Sequence, residues 1–173
     1  MVKKWKVLFI ISITINVFAL TFFIWQNVQQ QVITQDVLKS NVIDELFQIH
    51  DEIEAAEAND FANVNSLMEQ LYEASNRMNE PAIIGEVTKT LSATDVDLLM
   101  ELSSIFRDAT FGFTQNQEVQ EATKLQLSTI KNVLAQQGFD DESQFTALET
   151  EAYLHKVVEI IFAMNANSQT GNK

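Results

Sequence analysis

The 173-residue chain has no cysteine, one proline, four glycines and two histidines. Without cysteine there is no disulfide framework, no thiolate zinc site, no iron–sulfur cluster and no thiol nucleophile. So little glycine and proline excludes a turn-rich β-sandwich and points to long helices. His50 and His155 alone leave little room for imidazole-based catalysis. Basic residues are scarce as well: 11 Lys+Arg stand against 24 Asp+Glu, for a net charge of −13. Binding a phosphate backbone takes clustered cations, so no nucleic acid is expected as a partner. The length suits one ordinary domain plus an appendage.

The charge is distributed unevenly. Residues 1–30 carry only Lys3, Lys4 and Lys6, a net of +3, whereas residues 31–173 hold 8 basic and 24 acidic side chains, a net of −16. Residues 7–25, VLFIISITINVFALTFFIW, are 19 uncharged residues whose polar side chains are Ser12, Thr14, Asn16 and Thr21. A helix of that length covers about 28 Å, close to the hydrocarbon thickness of a bilayer. Trp5 and Trp25 flank the run, where amphipathic rings favour the headgroup level. Lys3, Lys4 and Lys6 precede it and the next cation is Lys39, so the positive-inside bias puts the N-terminus in the cytoplasm and the remainder outside. The rival is a cleavable signal peptide, because Val17-Phe18-Ala19 fits the small-residue pattern before a cleavage site and would yield a secreted helical protein. Cleavage there would leave Leu20-Thr21-Phe22-Phe23-Ile24-Trp25 as an apolar N-terminus, so an uncleaved anchor is the expected form. A lipoprotein is excluded by the missing cysteine. A pilin-like assembly helix is disfavoured, with no Gly-Phe motif before the run and no Glu inside it.

Ser12, Asn16 and Ala19 share one face of this span, a stripe of small and hydrogen-bonding residues that can join membrane helices at about 0.6–2 kcal/mol per contact. They are the candidate face for self-association or for a membrane partner.

Beyond the span, residues 26–34 are expected to form a glutamine-rich helical stalk. Residues 35–165 read as one acidic helical domain with no internal repeat. Val37, Leu38, Val42, Leu46, Ile49, Ile53 and Ala56 step by threes and fours, and Asn59-Asp60 breaks the helix with Asp60 as N-cap of the next. Phe61, Val64, Leu67, Met68, Leu71, Tyr72, Ala74 and Met78 continue the period as far as Glu80-Pro81, which ends it. Residues 81–92 fit either a short helix with Pro81 in its first turn or an irregular loop. Thr94-Asp95-Val96-Asp97 resembles a capping start for the helix of Val96, Leu98, Leu99, Leu102, Ile105 and Phe106. A further helix runs from about residue 117 to Gln137, with Val119, Ala122, Leu125, Ile130, Val133 and Leu134 on its face and Gly138 as its stop. Asp140-Asp141-Glu142 opens a last one, carrying Phe145, Leu148, Ala152, Tyr153, Val157, Ile160, Ile161 and Met164. Residues 166–173 read as a disordered polar tail. The expected fold class is all-α: a cytoplasmic tail over 1–6, one N-terminal transmembrane helix over 7–25, and a compact extracytoplasmic bundle of about five helices.

Few residues offer chemistry. The acids from Asp44 to Asp60 form a run with no cation between Lys39 and Arg77, which reads first as a solvated helix face. Glu151, His155 and Glu159 fall at successive steps of four, a candidate cation or pH cluster, and His50 precedes Glu54 by the same step. The Glu-x-x-His of di-iron bundles, the calcium-loop pattern, G-x-S-x-G, phosphate-binding glycine loops and H-E-x-x-H are all missing. Carboxylates alone do not define a hydrolase cleft, so no enzymatic activity and no cofactor are expected. Phe111-Gly112-Phe113 is a candidate partner surface, with a glycine between two rings at a helix end.

The reading is a single-pass, membrane-anchored interaction module: an adaptor, regulator or inhibitor of another envelope or membrane protein. The alternative is a ligand- or cation-sensing domain working with a membrane partner. The expected partners are the lipid bilayer, a protein of the envelope or membrane, and a second copy through the membrane helix. An exported chain without cysteine fits a bacterial envelope.

Overall fold

The computed structural model describes residues 2–111, 117–145 and 150–170. Every regular element among the described residues is helical, and the chain divides into two units, Met1–Ile33 and Thr34–Lys173.

The first unit lies within α1 (Val2–Leu38). From residue 11 to residue 29 every side chain is exposed on every side of the helix, including Phe18 at 72% and Trp25 at 58%. No Gly or Pro interrupts the run, and the expected stalk is helical throughout. This helix is long and apolar enough to cross a membrane.

The second unit is an all-helical bundle. It begins with the last turn of α1, where Thr34 and Leu38 are buried, and passes through a π-helical segment, Lys39–Ile43. Val42 and Ile43 of this segment are both buried. Then follow α2 (Asp44–Ala58), α3 (Val64–Arg77), α4 (Glu80–Thr88), α5 (Ala93–Phe111), α6 (Gln117–Gln136), a 3₁₀ turn (Glu142–Phe145) and α7 (Thr150–Thr170). The core runs through Leu46, Ile53, Leu71, Leu99, Leu102, Phe106, Leu127, Leu134, Val157 and Ile160. A helix is present in each stretch where periodicity predicts one, and residues 80–88 add the short α4, with Pro81 in its first turn. The last helix starts later than Asp140: Phe145 ends a separate 3₁₀ turn, Leu148 lies outside the described residues, and α7 begins at Thr150.

Helix ends differ from their expected caps in an instructive way. At α6 the Phe139 N–H donates to the Leu134 carbonyl (3.0 Å) and the Gly138 N–H to that of Ala135 (3.0 Å), with Gly138 at φ 89°. This is a Schellman ending, and both Phe139 and Leu134 are buried in the core. The same bond pair recurs at α2, from Phe61 to Ala56 (2.7 Å) and Asp60 to Glu57 (3.0 Å), and at α4, from Thr90 to Gly85 (3.0 Å) and Lys89 to Glu86 (3.3 Å). Asp60 therefore occupies the left-handed terminal position of α2, at φ 51°, and is not the N-cap of α3. The α5 cap is Ser92, not Thr94: its Oγ donates to Asp95 Oδ2 (2.7 Å) and accepts from the Asp95 N–H (3.2 Å). Asp141 Oδ1 accepts from Ser143 at the start of the 3₁₀ turn, ahead of α7. At the other end α7 continues to Thr170, past Asn165, where the disordered tail was expected. Residues 165–167 are solvent-exposed there, and no helix breaker occurs before Gly171.

On α6 the expected Ile130, Val133 and Leu134 are buried, but Thr123 and Leu127 join them in place of Ala122, which is exposed, and Leu125, which is 71% exposed; the side chain of Val119 lies outside the described residues. Between α3 and α5, small buried residues allow close approach, and Ser103 Oγ donates to the Ser75 carbonyl (2.7 Å).

Candidate functional site

One open groove of the second unit lies where α7 meets α5. Helix α7 carries more apolar residues than one stripe can bury. Tyr153, Val157, Ile160, Ile161 and Met164 fill the core, whereas Leu154, Val158 and Phe162 form a second stripe at steps of four. Leu154 packs partly against the core, Val158 is 41% exposed and Phe162 78% exposed. On the α5 side stand Leu98 and, from the preceding turn, Leu91; Asp95 is held there by the Ser92 cap. Together they line an open groove of about 500 Å³ with an apolar floor of Leu91, Leu98, Leu154 and Val158. Asp95 and Glu151 stand on its rim, with no lysine or arginine among its lining residues. The 91–95 turn is positioned by a buried hydroxyl chain, in which Thr90 Oγ1 lies 2.6 Å from Thr34 Oγ1 and 2.7 Å from Thr88 Oγ1.

The sequence-predicted residues are placed as follows. His155 and Glu151 both line this groove. His155 Nδ1 lies 3.5 Å from Glu159 Oε1, and Lys156 Nζ lies 3.1 Å from Glu159 Oε2, so Glu159 is shared between a histidine and a lysine. Ser12, Asn16 and Ala19 are all exposed in the first unit. The side chain of Phe111, together with Gly112 and Phe113, lies outside the described residues.

The tightest set able to hold a metal among the described residues is His50, Asp51 and Glu54, whose ligand atoms lie within 4.8 Å of one another. His50 is buried, and its Nδ1 sits 3.1 Å from Asp51 Oδ1. The step of four between His50 and Glu54 was legible; Asp51 was lost in the acidic run, because i,i+1 neighbours do not share a helix face.

Other acids of α2 serve the fold. Lys131 of α6 donates to Glu57 Oε2 and Ser128 to Glu57 Oε1, while Lys124 reaches Asp60 at 3.2 Å and lies over the Phe61 ring, 5.7 Å from its centroid. Hydrogen bonds from Lys131 and then Ser128 hold the Glu57 carboxyl below its ordinary range. Glu45 behaves oppositely: burial raises it, offset in part by Arg77 at 2.9 Å. The two therefore act on stability with opposite sign. The Glu57 contribution is complete above the ordinary carboxylate range and is lost as pH falls through its depressed value. The Glu45 contribution is present at low pH and is lost as pH rises through its elevated value. Replacing Glu57 with Gln is expected to cost about 1 kcal/mol at neutral pH. Thermal melts across the acid range should show the two proteins converging as pH falls below the depressed value; a pH-independent gap would exclude the charge as the cause.

No protein-family model, no curated protein and no solved structure matches the chain.

Proposed function

We propose that this chain is a single-pass, membrane-anchored interaction module, with a short cytoplasmic N-terminus and the acidic helical unit displayed outside as an adaptor, regulator or inhibitor of another envelope or membrane protein. The observation that carries it is the exposure of apolar side chains all around the helix from residue 11 to residue 25. No protein surface within the first unit covers them, and a lipid interior is the solvent that accommodates such a helix without a polar face. Lys3, Lys4 and Lys6 at one end give the orientation, and the −16 of the remainder suits an aqueous compartment.

The missing cysteines make the test direct, because single-cysteine variants Val2→Cys and Asp36→Cys report each side without background. In intact cells a membrane-impermeant maleimide should label position 36 and leave position 2 until lysis, with the protein retained in carbonate-washed membranes. Labelling of position 2 before lysis, or release by carbonate, would refute the topology. Affinity capture from those membranes, compared with Asn16→Leu, then reports whether a partner is held and whether the anchor face holds it.

A further inference from the structure

We propose that the groove between α5 and α7 docks a basic amphipathic helix of a partner protein; the inference rests on the interaction-module reading and names the partner's chemistry. Three observations carry it. The first is shape: among the described residues the groove is open, Leu154 and Val158 line it, and exposed Phe162 continues their stripe beyond it. Eight residues of helix correspond to about 12 Å, the reach of two turns of a partner helix laid alongside. Helix-in-groove recognition uses apolar anchors at this spacing.

The second is charge. Asp95 and Glu151 line the groove beside the apolar residues, with no lysine or arginine among the lining residues, and the unit around them is strongly acidic. Lysines and arginines flanking the apolar stripe of a partner would be attracted to this rim, raising the rate of encounter and fixing register. The same charge opposes the alternative occupants. A second copy of this chain would bring an equally acidic unit against the rim, and an anionic lipid surface would do likewise.

The third is local rigidity. Asp95 is fixed by its bonds to Ser92, and the adjacent turn by the Thr34–Thr90–Thr88 hydroxyl chain. The rim charge is thus held in place before a partner arrives, which lowers the ordering cost of binding. Val158 and Phe162, by contrast, are large apolar side chains left in water, where single exposed residues are common but an aligned stripe beside an apolar floor marks a contact surface.

The test uses the full chain in zwitterionic lipid nanodiscs and a fluorescent leucine–lysine amphipathic helical peptide, read by anisotropy against empty nanodiscs. A leucine–glutamate peptide of the same pattern is the charge control. The lysine peptide should bind, with affinity falling as salt rises, and the glutamate peptide should not. Val158→Ser and Phe162→Ser, both at exposed positions, should each weaken binding about tenfold, and Glu151→Gln should weaken it and reduce its salt dependence. Glu69→Gln with Glu73→Gln removes two charges from the exposed face of α3 and should leave affinity unchanged. An equal loss in that α3 variant would show general attraction to an acidic domain and overturn the groove. So would equal binding of both peptides, or sedimentation showing that Phe162 mediates self-association. Circular dichroism melts confirm that each variant is folded. Failure of peptide binding with the cysteine topology intact removes the groove and leaves the anchored module, whereas a reversed topology removes the module whatever the peptide does.

Discussion

Phe139→Ala is expected to remove a large share of the stability of the helical unit. Phe139 is fully buried at the centre of three rings, its centroid 4.9 Å from Phe47 and 4.6 Å from Phe145, which are themselves 5.1 Å apart in an edge-on arrangement. Truncating a buried Phe costs about 3–5 kcal/mol through lost transfer energy and the cavity left behind. Phe139 also closes the Schellman ending of α6 through its N–H to the Leu134 carbonyl, so its loss from the core bears on the helix end as well. Against a typical total of about 5–15 kcal/mol, that is a large share. Denaturant unfolding of the full chain in nanodiscs should show the midpoint falling sharply, with near-ultraviolet dichroism weakened before helicity is lost. Phe139→Leu refills much of the space and should cost less than half as much. A loss below about 1 kcal/mol for the alanine variant would mean that the three rings do not form the packed unit described.

The second large effect is expected at Gly85, and its sign is the informative part. In an exposed helix interior, Gly→Ala stabilises by about 1 kcal/mol. Gly85 is buried in α4, and a Cβ there would lie 2.4 Å from Leu91 Cγ and 2.8 Å from Leu91 Cβ. Leu91 cannot withdraw freely, because the Thr90 N–H is bonded to the Gly85 carbonyl (3.0 Å) and the Thr90 hydroxyl to Thr34 and Thr88. Gly85→Ala should therefore destabilise by about 1–3 kcal/mol, the usual cost of overpacking. In thermal melts this corresponds to a drop of roughly 2–4 °C per kcal/mol for a chain of this size. Adding Leu91→Ala should recover part of the loss, giving a coupling energy in a double-mutant cycle. Additive losses would place the strain elsewhere.

Much of the helix layout was legible because apolar periodicity survives any arrangement of neighbours. Leu46, Ile49 and Ile53 lie inward as their spacing requires, and Pro81 and Gly138 act at helix boundaries as their backbone chemistry dictates. What escaped the sequence depends on tertiary partners. The C-terminal half of α6 buries Ile130, Val133 and Leu134 as their spacing requires, whereas in its N-terminal half the bundle buries Thr123 and Leu127 and leaves Leu125 in water. The π-helical turn at Lys39–Ile43 adds one residue to the repeat, a shift that single-residue spacing does not announce. The groove was missed for a related reason. Leu154, Val158 and Phe162 are visible as a stripe, but one helix in isolation does not reveal that its neighbours cover only the adjacent stripe. Ser92 and Asp95 satisfy the capping spacing just as Thr94 and Asp97 do, and the packing of α5 selects the earlier pair.

The three Schellman endings carry a further implication for how freely this sequence can drift. One places glycine in the left-handed position, and the other two place Asp60 and Lys89 there, at φ 51° and 57°. A side chain with a Cβ pays a steric penalty of about 1–2 kcal/mol in that conformation, whereas glycine pays none. The backbone thus holds more stability than the present side chains realise, as is usual for chains selected only to exceed a threshold. Lys89 is exposed, so a change to glycine there replaces no core contact. Substitutions at these two corners offer reserve stability, against which the unit can absorb losses incurred elsewhere on its surface, the α5–α7 groove included.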